Sequence, residues 1–461
     1  MPQDAYYYFY SRHLALSYFD HPPMIAYVLK LFTLIFGDSV IAIKLANTFL
    51  TIFTSIAFYQ LAIRLLPKCD AEKAIILFLS TLMVSILSLV STPDTPLLFF
   101  WTLSLIALYE AIFKNKNEFW IIAGILMGLA FDSKYTAVFL PFGSFIFLIF
   151  AKSKRNLLTS FWPYLSYTLM LIVSSPVIIW NVVNHFASFA FQGAQRLSHA
   201  SGLHFRPKFI AGLLGHQLVL LIPVLFVAIL YAVVRLLMSV KKKLPLPANE
   251  NLFLLCFFLP IFAIFLVLSP IYWIKINWMM PAYVSGIIIA AKLISKKWIK
   301  IQLYISCIIH LALLVQILFY LVPIQSDDTW FGWKELSVKT IDLKKRYDAD
   351  FIFSADGYKT SSELNLYSNT FIYSENVIGK TALQYDFIGT DLNTLNGKTA
   401  LYIDSDPQFT NNERKADKPI EVEAYFKSVT QLKPILIKNR GKAVRKFYVY
   451  LCKGYKFLEK R

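Results

Sequence analysis

Residues 71–113 read AEKAIILFLSTLMVSILSLVSTPDTPLLFFWTLSLIALYEAIF, which are two long apolar runs joined by the polar turn STPDTP. Each run has about 20 residues, the length that an α-helix needs to cross the hydrocarbon of a bilayer. The apolar residues are continuous rather than alternating, so the runs predict helices and not the strands of a membrane barrel. The stretch therefore predicts a membrane protein built from helices.

Runs of this kind fill residues 22–324 and predict an all-α polytopic membrane domain with about ten or eleven transmembrane helices. A hydrophobic content of 57% with only 16% charged residues is too apolar for a soluble globule. A short run, Met24 to Phe36, either crosses the membrane or lies along its interface. Ten further spans are predicted at residues 39–66, 72–91, 95–113, 119–132, 135–151, 160–183, 208–238, 251–269, 278–294 and 299–323.

The net charge of +18 would favour a nucleic-acid partner in a soluble protein, but its distribution indicates a membrane topology. Alternate short loops carry sixteen lysines and arginines, against six in the intervening loops. The positive-inside rule places the basic loops in the cytoplasm, and the intervening loops are therefore predicted on the outer face of the membrane. We expect a membrane partner and no nucleic acid.

The sequence divides into a transmembrane domain, residues 1–324, and a smaller domain, residues 325–461. Hydrophobicity falls from Gln325 onward, and a helix is predicted near residues 360–367. Short β-rich runs occur at residues 351–354, 370–374, 400–403 and 447–452. The second domain is therefore predicted to be a small α/β domain, which the charge pattern places on the outer, extracytoplasmic face.

Several ionisable residues lie in the turns of the predicted outer face. Asp4 precedes a run of tyrosines, and Asp20 and His21 precede two prolines. A carboxylate at a membrane boundary can act as a general base toward a hydroxyl group, or can bind a divalent metal ion with a nearby histidine. An equally good interpretation is that these acids cap helices and that the tyrosines form an interfacial belt.

Two further turns carry charged residues at the ends of apolar runs. Asp94 can cap the helix that follows it or can join the cluster of Asp4 and Asp20. Lys134, beside Tyr135, is one of few basic residues on the outer face and suits a phosphate group as a point charge. The alternative for Lys134 is a local ion pair with Asp132 or a side chain that snorkels to the interface.

Cations mixed with aromatic residues occupy the outer loop at residues 181–208, where Arg196 and Arg206 suit the anionic head group of a lipid. Lys275 lies between Trp273 and Trp278 and either adds charge for a phosphate or anchors the chain at the interface.

Four stretches resemble the bacterial membrane glycosyltransferases of the GT-C superfamily, in particular the family 39 type related to protein mannosyltransferases and to the aminoarabinose transferase of lipid A. They are AYYYFYSRHLALSYFDHPPMIAY (5–27), STPDTPLLFFW (91–101), DSKYTAVFLP (132–141) and SPVIIWNVVNHFASFAFQ (175–192). The resemblance covers about residues 1–330. The C-terminal part supports it more weakly.

The resemblance implies a polyprenyl-phosphate sugar as donor and a lipid, glycan or protein acceptor at the outer face of a bacterial cytoplasmic membrane, with lipid A as one such acceptor. It implies an inverting displacement, assisted by a divalent metal ion at Asp20 and His21. Asp4 and Asp94 take the catalytic roles by this resemblance. The substrate-binding residues that we expect are His21, Lys134, Tyr135, Arg196, Arg206 and Lys275.

The chain departs from the family at two places. Gln3 stands where relatives have the aspartate of an Asp-Glu pair, and no first transmembrane helix precedes this motif. The second departure predicts a start codon further upstream or a truncated copy. A catalytically impaired homologue therefore stays as an alternative to the enzyme. A lipid or sugar transporter (flippase), which also places polar groups among many helices, is a second alternative.

Overall fold

The computed structural model describes residues 1–195, 205–241, 249–408 and 419–458. The chain forms two compact units. Residues 15–313 make one, here called the membrane unit, and residues 1–14 with 314–461 make the other, here called the sheet unit. Residues 1–14 thus group with C-terminal residues, whereas the sequence assigned them to the transmembrane domain.

The described residues form helices in both units. In chain order they are α1 (Pro2–Arg12), α2 (Met24–Phe36), α3 (Val40–Leu65), α4 (Lys68–Leu79), α5 (Leu82–Leu89), α6 (Asp94–Phe113), α7 (Glu118–Phe131), α8 (Phe139–Phe150), α9 (Phe161–Val173), α10 (Ser175–Val183), α11 (Ala187–Ala190), α12 (Pro207–Leu221), α13 (Pro223–Lys241), α14 (Asn249–Leu268), α15 (Met280–Ala291), α16 (Lys296–Phe319), α17 (Trp333–Arg346), α18 (Lys359–Tyr367) and α19 (Ile420–Glu423).

Four helices of the described residues, α3, α6, α14 and α16, are long and apolar enough to cross a membrane. Up to eight spans result if each of four bent pairs counts as one: α4 with α5, residues 135–150 with 152–159, α9 with α10, and α12 with α13. Helices α2, α7 and α15 are apolar but shorter. The polytopic helical domain is thus confirmed in outline, but the predicted ten or eleven spans are not confirmed.

Three runs that were predicted as single spans are bent pairs, and the bends have local causes. The run at residues 208–238 turns by 110° between α12 and α13. At that point Ile222 has φ of 65°, and Pro223 supplies no N–H to the helix ladder. The buried Gln302 side chain replaces the lost bonds: it accepts from Leu225 N at 3.1 Å and donates to Leu221 O at 2.9 Å. The runs at 72–91 and 160–183 bend by 57° and 48°.

The core of the membrane unit surrounds α6. In its most apolar window, 72% of α6 is buried, and it packs against α3 and α7. The corresponding figure for α16 is 11%, so its apolar side chains form part of the surface that we expect lipid to cover.

The sheet unit contains a mixed sheet of six strands. They are β1 (Phe351–Ser354), β2 (Ile372–Tyr373), β3 (Ala400–Asp406), β4 (Phe426–Gln431), β5 (Ile435–Asn439) and β6 (Lys442–Tyr455). The order is β2-β1-β3-β6-β4, and β5 also pairs with β6. Pairs β1–β2 and β1–β3 are parallel, whereas β6 is antiparallel to β3, β4 and β5.

Apolar side chains cover both faces of this sheet. Phe353 and Tyr402 belong to one buried cluster, and Ile352 and Leu401 belong to another together with Trp333 of α17. This follows from the alternation of side chains along a strand. The predicted strand at 351–354 and the helix near 360–367 are confirmed, and the predicted strands at 400–403 and 447–452 lie inside β3 and β6. The sequence did not predict β4, β5 or α17.

Candidate functional site

The membrane unit contains a buried ion pair between two of its turns. Lys134 Nζ donates to Asp94 Oδ1 at 2.7 Å, and Asn277 Nδ2 donates to Asp94 Oδ2 at 2.5 Å. Asp94 is 1% exposed and Lys134 is 7% exposed. A buried charge is costly unless it is paired and hydrogen-bonded, so these three side chains stabilise one another.

Asp94 is the first residue of α6. Pro93, and not Asp94, has the N-cap position of α6, so the interpretation of Asp94 as the N-cap is wrong. Asp94 lies in the first turn instead, where the helix dipole favours a negative charge. Lys134 is held in the turn after α7 by the bond of its backbone N to Ala130 O at 3.0 Å.

Asn277 was not predicted from the sequence. Two hydrogen bonds hold the loop that carries Asn277. Gln217 Nε2 donates to Ile276 O at 3.4 Å, and Tyr283 Oη donates to Gln217 Oε1 at 2.8 Å. The available signal was the sequence IYWIKINW, in which Lys275 and the amide of Asn277 are the two strongly polar side chains among aromatic and aliphatic ones. A polar residue in such a loop is a functional candidate by the same reasoning that selected Lys134.

Asp132 does not pair with Lys134 as the local alternative proposed, since the ion pair of Lys134 is with Asp94. The Oδ1 atom of Asp132 is buried and has no hydrogen-bond partner within the described part of the chain. Asp132 lies in the turn after α7, where burial raises the pKa of its carboxyl group to about 7. The turn at residues 132–134 therefore holds two ionisable groups in different environments.

A second group of contacts joins three segments of the membrane unit that the sequence predicts on the outer face. Met24 N donates to Asp132 O at 2.9 Å, and Gln192 Nε2 donates to Asp20 O. Tyr135 Oη and Ser188 Oγ share a hydrogen bond of 2.6 Å. The segment near Asp20, the turn near Tyr135 and the loop after α10 thus lie side by side. The structure brings the predicted residues Asp20 and Tyr135 into this one region, where Asp20 lies near enough for a Coulombic interaction with Tyr135.

Asp20 and His21 were predicted to bind a divalent metal ion. Asp20 is buried and His21 is half-buried. Within the ranges that the structure describes, no three His, Cys, Asp or Glu side chains form a group that could hold a metal. Asp20 and His21 would therefore supply at most two protein ligands, and the metal site stays a prediction.

The predicted cations of the outer loops have different positions. Arg206 donates its backbone N to Pro270 O at 2.8 Å, and its guanidinium group lies 5.3 Å from the centroid of the Phe209 ring. Lys275 is exposed and stands two residues before Asn277, in the loop that reaches Asp94. Arg196 lies outside the described residues.

Asp4 belongs to the sheet unit, and its surroundings are equally buried. It lies in the first turn of α1 and is 1% exposed. The α-ammonium nitrogen of Met1 lies 3.4 Å from Asp4 Oδ2 and 3.1 Å from Glu363 Oε1. Burial is the main cause that raises the pKa of Glu363 to about 7. The predicted convergence of Asp4 with Asp94 and Lys134 stays a prediction.

Known proteins are similar to this chain in sequence. Residues 20–180 match the family model described as dolichyl-phosphate-mannose-protein mannosyltransferase. The lipid A galacturonosyltransferase RgtD of Rhizobium johnstonii is 24% identical over 299 residues, which are 64% of this chain and 61% of that protein. An uncharacterized protein of Aquifex aeolicus is 30% identical over 158 residues, which are 34% of this chain and 31% of that protein. The chain thus spans less than two thirds of the curated relatives that it matches.

Solved structures share the fold. ArnT from Cupriavidus metallidurans bound to undecaprenyl phosphate has a TM-score of 0.62 and 14% identity, over 97% of this chain and 93% of that chain. The apo state of ArnT has a TM-score of 0.60 and 13% identity, over 98% and 93%. The oligosaccharyltransferase AglB from Archaeoglobus fulgidus has a TM-score of 0.52 and 12% identity, over 96% and 70%. The predicted resemblance to GT-C membrane glycosyltransferases is therefore confirmed by the family model, the relative and the fold.

Proposed function

We propose that this chain, which has the fold of ArnT and a family match over residues 20–180, is an integral-membrane glycosyltransferase. It moves a sugar from a polyprenyl-phosphate donor to an acceptor at the outer face of a bacterial cytoplasmic membrane. The observation that carries the proposal is the buried Asp94–Lys134–Asn277 cluster, which fixes one cation in a turn between helices. The acceptor belongs to the cell envelope, and lipid A is favoured by the similarity to RgtD.

Lys134 fits a donor phosphate for an electrostatic reason. When the bond from the sugar to the phosphate breaks, negative charge grows on the departing phosphate oxygen. A cation held in a dry site stabilises that charge more in the transition state than in the bound donor. Asp94 and Asn277 keep the lysine side chain in place before the donor arrives, so that little reorganisation is needed during the reaction.

Asp4 has the role of general base. The acceptor hydroxyl oxygen attacks the anomeric carbon, the bond from that carbon to the phosphate oxygen breaks with its electron pair, and the hydroxyl proton passes to the Asp4 carboxylate. His21, Tyr135, Arg196, Arg206 and Lys275 bind the head group of the donor in this proposal. A divalent ion at Asp20 and His21 would share the phosphate charge.

The topology that we propose has ten or eleven spans, with the active site and the C-terminal domain outside the cytoplasm. The three shorter apolar helices added to the eight candidate spans would give eleven in the part of the chain that is described. A membrane-impermeant thiol reagent tests the sidedness in spheroplasts of a strain in which Cys69 and Cys307, both exposed, are serine. We expect Gln325→Cys to be labelled and Lys116→Cys to be labelled only after lysis. The opposite pattern would invert the topology.

Proteoliposomes with a radiolabelled polyprenyl-phosphate sugar test the function itself. We expect the label to move to an extracted envelope acceptor in a time-dependent manner, with release of polyprenyl phosphate. Movement of intact donor between the leaflets without cleavage would identify a flippase. Neither transfer nor movement, with donors of several sugars and with lipid, glycan and peptide acceptors, would identify a catalytically impaired homologue.

A further inference from the structure

The C-terminal end of α16 marks a boundary of the membrane. The helix has 24 residues, so at about 1.5 Å per residue it is about 36 Å long, slightly more than the roughly 30 Å of bilayer hydrocarbon. Basic residues lie in its first turns: Lys296, Lys297 and Lys300. The opposite boundary therefore falls near the last residue of the helix. Exposed apolar side chains continue to this end and just past it: Leu318, Phe319, Leu321 and Val322.

Aromatic residues hold the chain that follows α16. The rings of Tyr320 and Phe331 stack with centroids 4.3 Å apart. Trp330 Nε1 donates to Ile317 O, in the last turn of α16, at 3.2 Å. Tyrosine and tryptophan are enriched where a protein meets the interface between membrane and water. All four residues belong to the sheet unit, which includes residues 314–461. The membrane boundary therefore runs beside this part of the sheet unit.

A tight hairpin of the sheet unit is bound to the same place. Arg440 and Gly441 link β5 to β6, and their φ values of 49° and 81° are both positive, as a type I′ turn requires. Asn439, the last residue of β5, donates from Nδ2 to Tyr320 O at 3.0 Å. Lys442 lies directly opposite Asn439, so both side chains are on one face of the hairpin. The tip of the hairpin thus contacts the residue that follows α16.

The hairpin tip carries three cations that the protein does not neutralise. Lys438, Arg440 and Lys442 are exposed, and within the described part of the chain none of them forms an ion pair. Strands β5 and β6 contain no aspartate or glutamate. Asp327 and Asp328, the acids that follow α16, each pair with a different cation, at 3.0 and 2.9 Å. Three exposed like charges within five residues repel one another unless an anion offsets them.

We propose that the hairpin tip binds anionic lipid head groups at the membrane surface where α16 ends. The phosphate oxygens of such lipids accept hydrogen bonds from ammonium and guanidinium groups. Each lysine or arginine close to an anionic membrane surface strengthens binding by about fivefold. The three cations lie together beside the end of a span, so they reach the head-group layer at the same time. This binding does not depend on the proposed sugar transfer.

Acetylation of lysines by a water-soluble reagent, followed by mass spectrometry, measures this contact in the full chain. The chain is compared in nanodiscs of phosphatidylcholine alone and of an equal mixture with phosphatidylglycerol. We expect Lys438 and Lys442 to react at least about threefold more slowly in the anionic nanodiscs, because a bound phosphate favours the protonated, unreactive amine. Salt at about 1 M should remove most of this difference, since it shortens the Debye length to about 3 Å.

Lys427 and Lys453 are matched controls in the same molecule. Both are exposed lysines of the sheet. Lys453 lies about 37 Å from Lys442 along β6, at about 3.4 Å per residue. The reaction rates of both controls should be equal in the two kinds of nanodisc. Equal slowing of all four lysines would reveal only the general effect of an anionic surface and would overturn the site. Unchanged rates at Lys438 and Lys442 would overturn it as well.

Arg440→Gln removes the third cation without changing either measured lysine. The slowing at Lys438 and Lys442 should then fall below about twofold, whereas Lys427→Gln should leave it unchanged. Slowing that persists in full in Arg440→Gln would contradict a site built from the three cations. Inorganic phosphate, added to phosphatidylcholine nanodiscs at matched ionic strength, distinguishes a site for the free ion. We expect no slowing there, and slowing equal to that with phosphatidylglycerol would overturn the assignment to lipid.

Discussion

Alanine in place of Lys134 should slow sugar transfer from a polyprenyl-phosphate donor by at least about 100-fold, the usual effect of removing one fixed group that stabilises charge in a transition state. The reason is that, in the proposed mechanism, the departing phosphate loses the cation that Asp94 and Asn277 hold in place. The measurement is the initial rate in proteoliposomes with radiolabelled donor. Lys297→Ala, which removes an exposed lysine of α16, serves as the matched control and should retain the wild-type rate.

Lys134→Ala also leaves the buried Asp94 without its counter-ion, which by itself destabilises a protein by about 3–5 kcal/mol. A double variant separates the two effects. Asp94→Asn with Lys134→Met removes both charges, so its thermal unfolding temperature should recover toward the wild type while its transfer rate stays low. Recovery of the rate together with the stability would contradict the assigned role, because it would show that the ion pair is needed only for folding.

The turns that carry Asp94 and Lys134 were predictable because an ionisable group at the end of an apolar run is costly and therefore noticeable. Their pairing was not predictable. It depends on how α6 and α7 pack, and neither periodicity nor hydropathy contains that information. Asn277 was not predicted for the same reason, since no sequence pattern indicates which residue a single amide in a loop will contact.

The bends between helices were also only partly predictable from the sequence. An apolar run gives the length of a span, but not whether its direction changes within the run. Residues 208–238 were predicted as one span although Pro223 lies within them, and the way in which Gln302 satisfies the opened backbone at the bend between α12 and α13 depends on tertiary contact. Likewise, one of the two interpretations of the tyrosines of α1 was an interfacial belt. Their ring partners, Tyr358 and Tyr385, lie far along the chain, where no local rule connects them with α1.

Asparagine in place of Asp4 should lower kcat by about 100-fold or more, because the acceptor hydroxyl then has no positioned group to take its proton. The residues that we propose to bind the donor are unchanged, so the KM for the donor should stay within about twofold of the wild type. The measurement is the same transfer assay at pH 8, where the control Asp328→Asn, a change at an exposed carboxylate of the sheet unit, should be neutral. A fully active Asp4→Asn enzyme would remove Asp4 from the mechanism.

Substitutions at Gln3, next to Asp4, test whether Asp4 is the general base or whether the chain is an impaired enzyme. The family resemblance implies a carboxylate where this chain has Gln3, but successive residues of a helix point about 100° apart, so a carboxylate at position 3 would point in a different direction from Asp4 within α1. Gln3→Asp added to Asp4→Asn should therefore fail to restore transfer. If it restores the rate, the base belongs at position 3, and the wild-type chain, with glutamine there, is the impaired homologue that its sequence allowed. If Gln3→Asp alone raises the wild-type rate by an order of magnitude, the same conclusion follows without the need for the Asp4 variant.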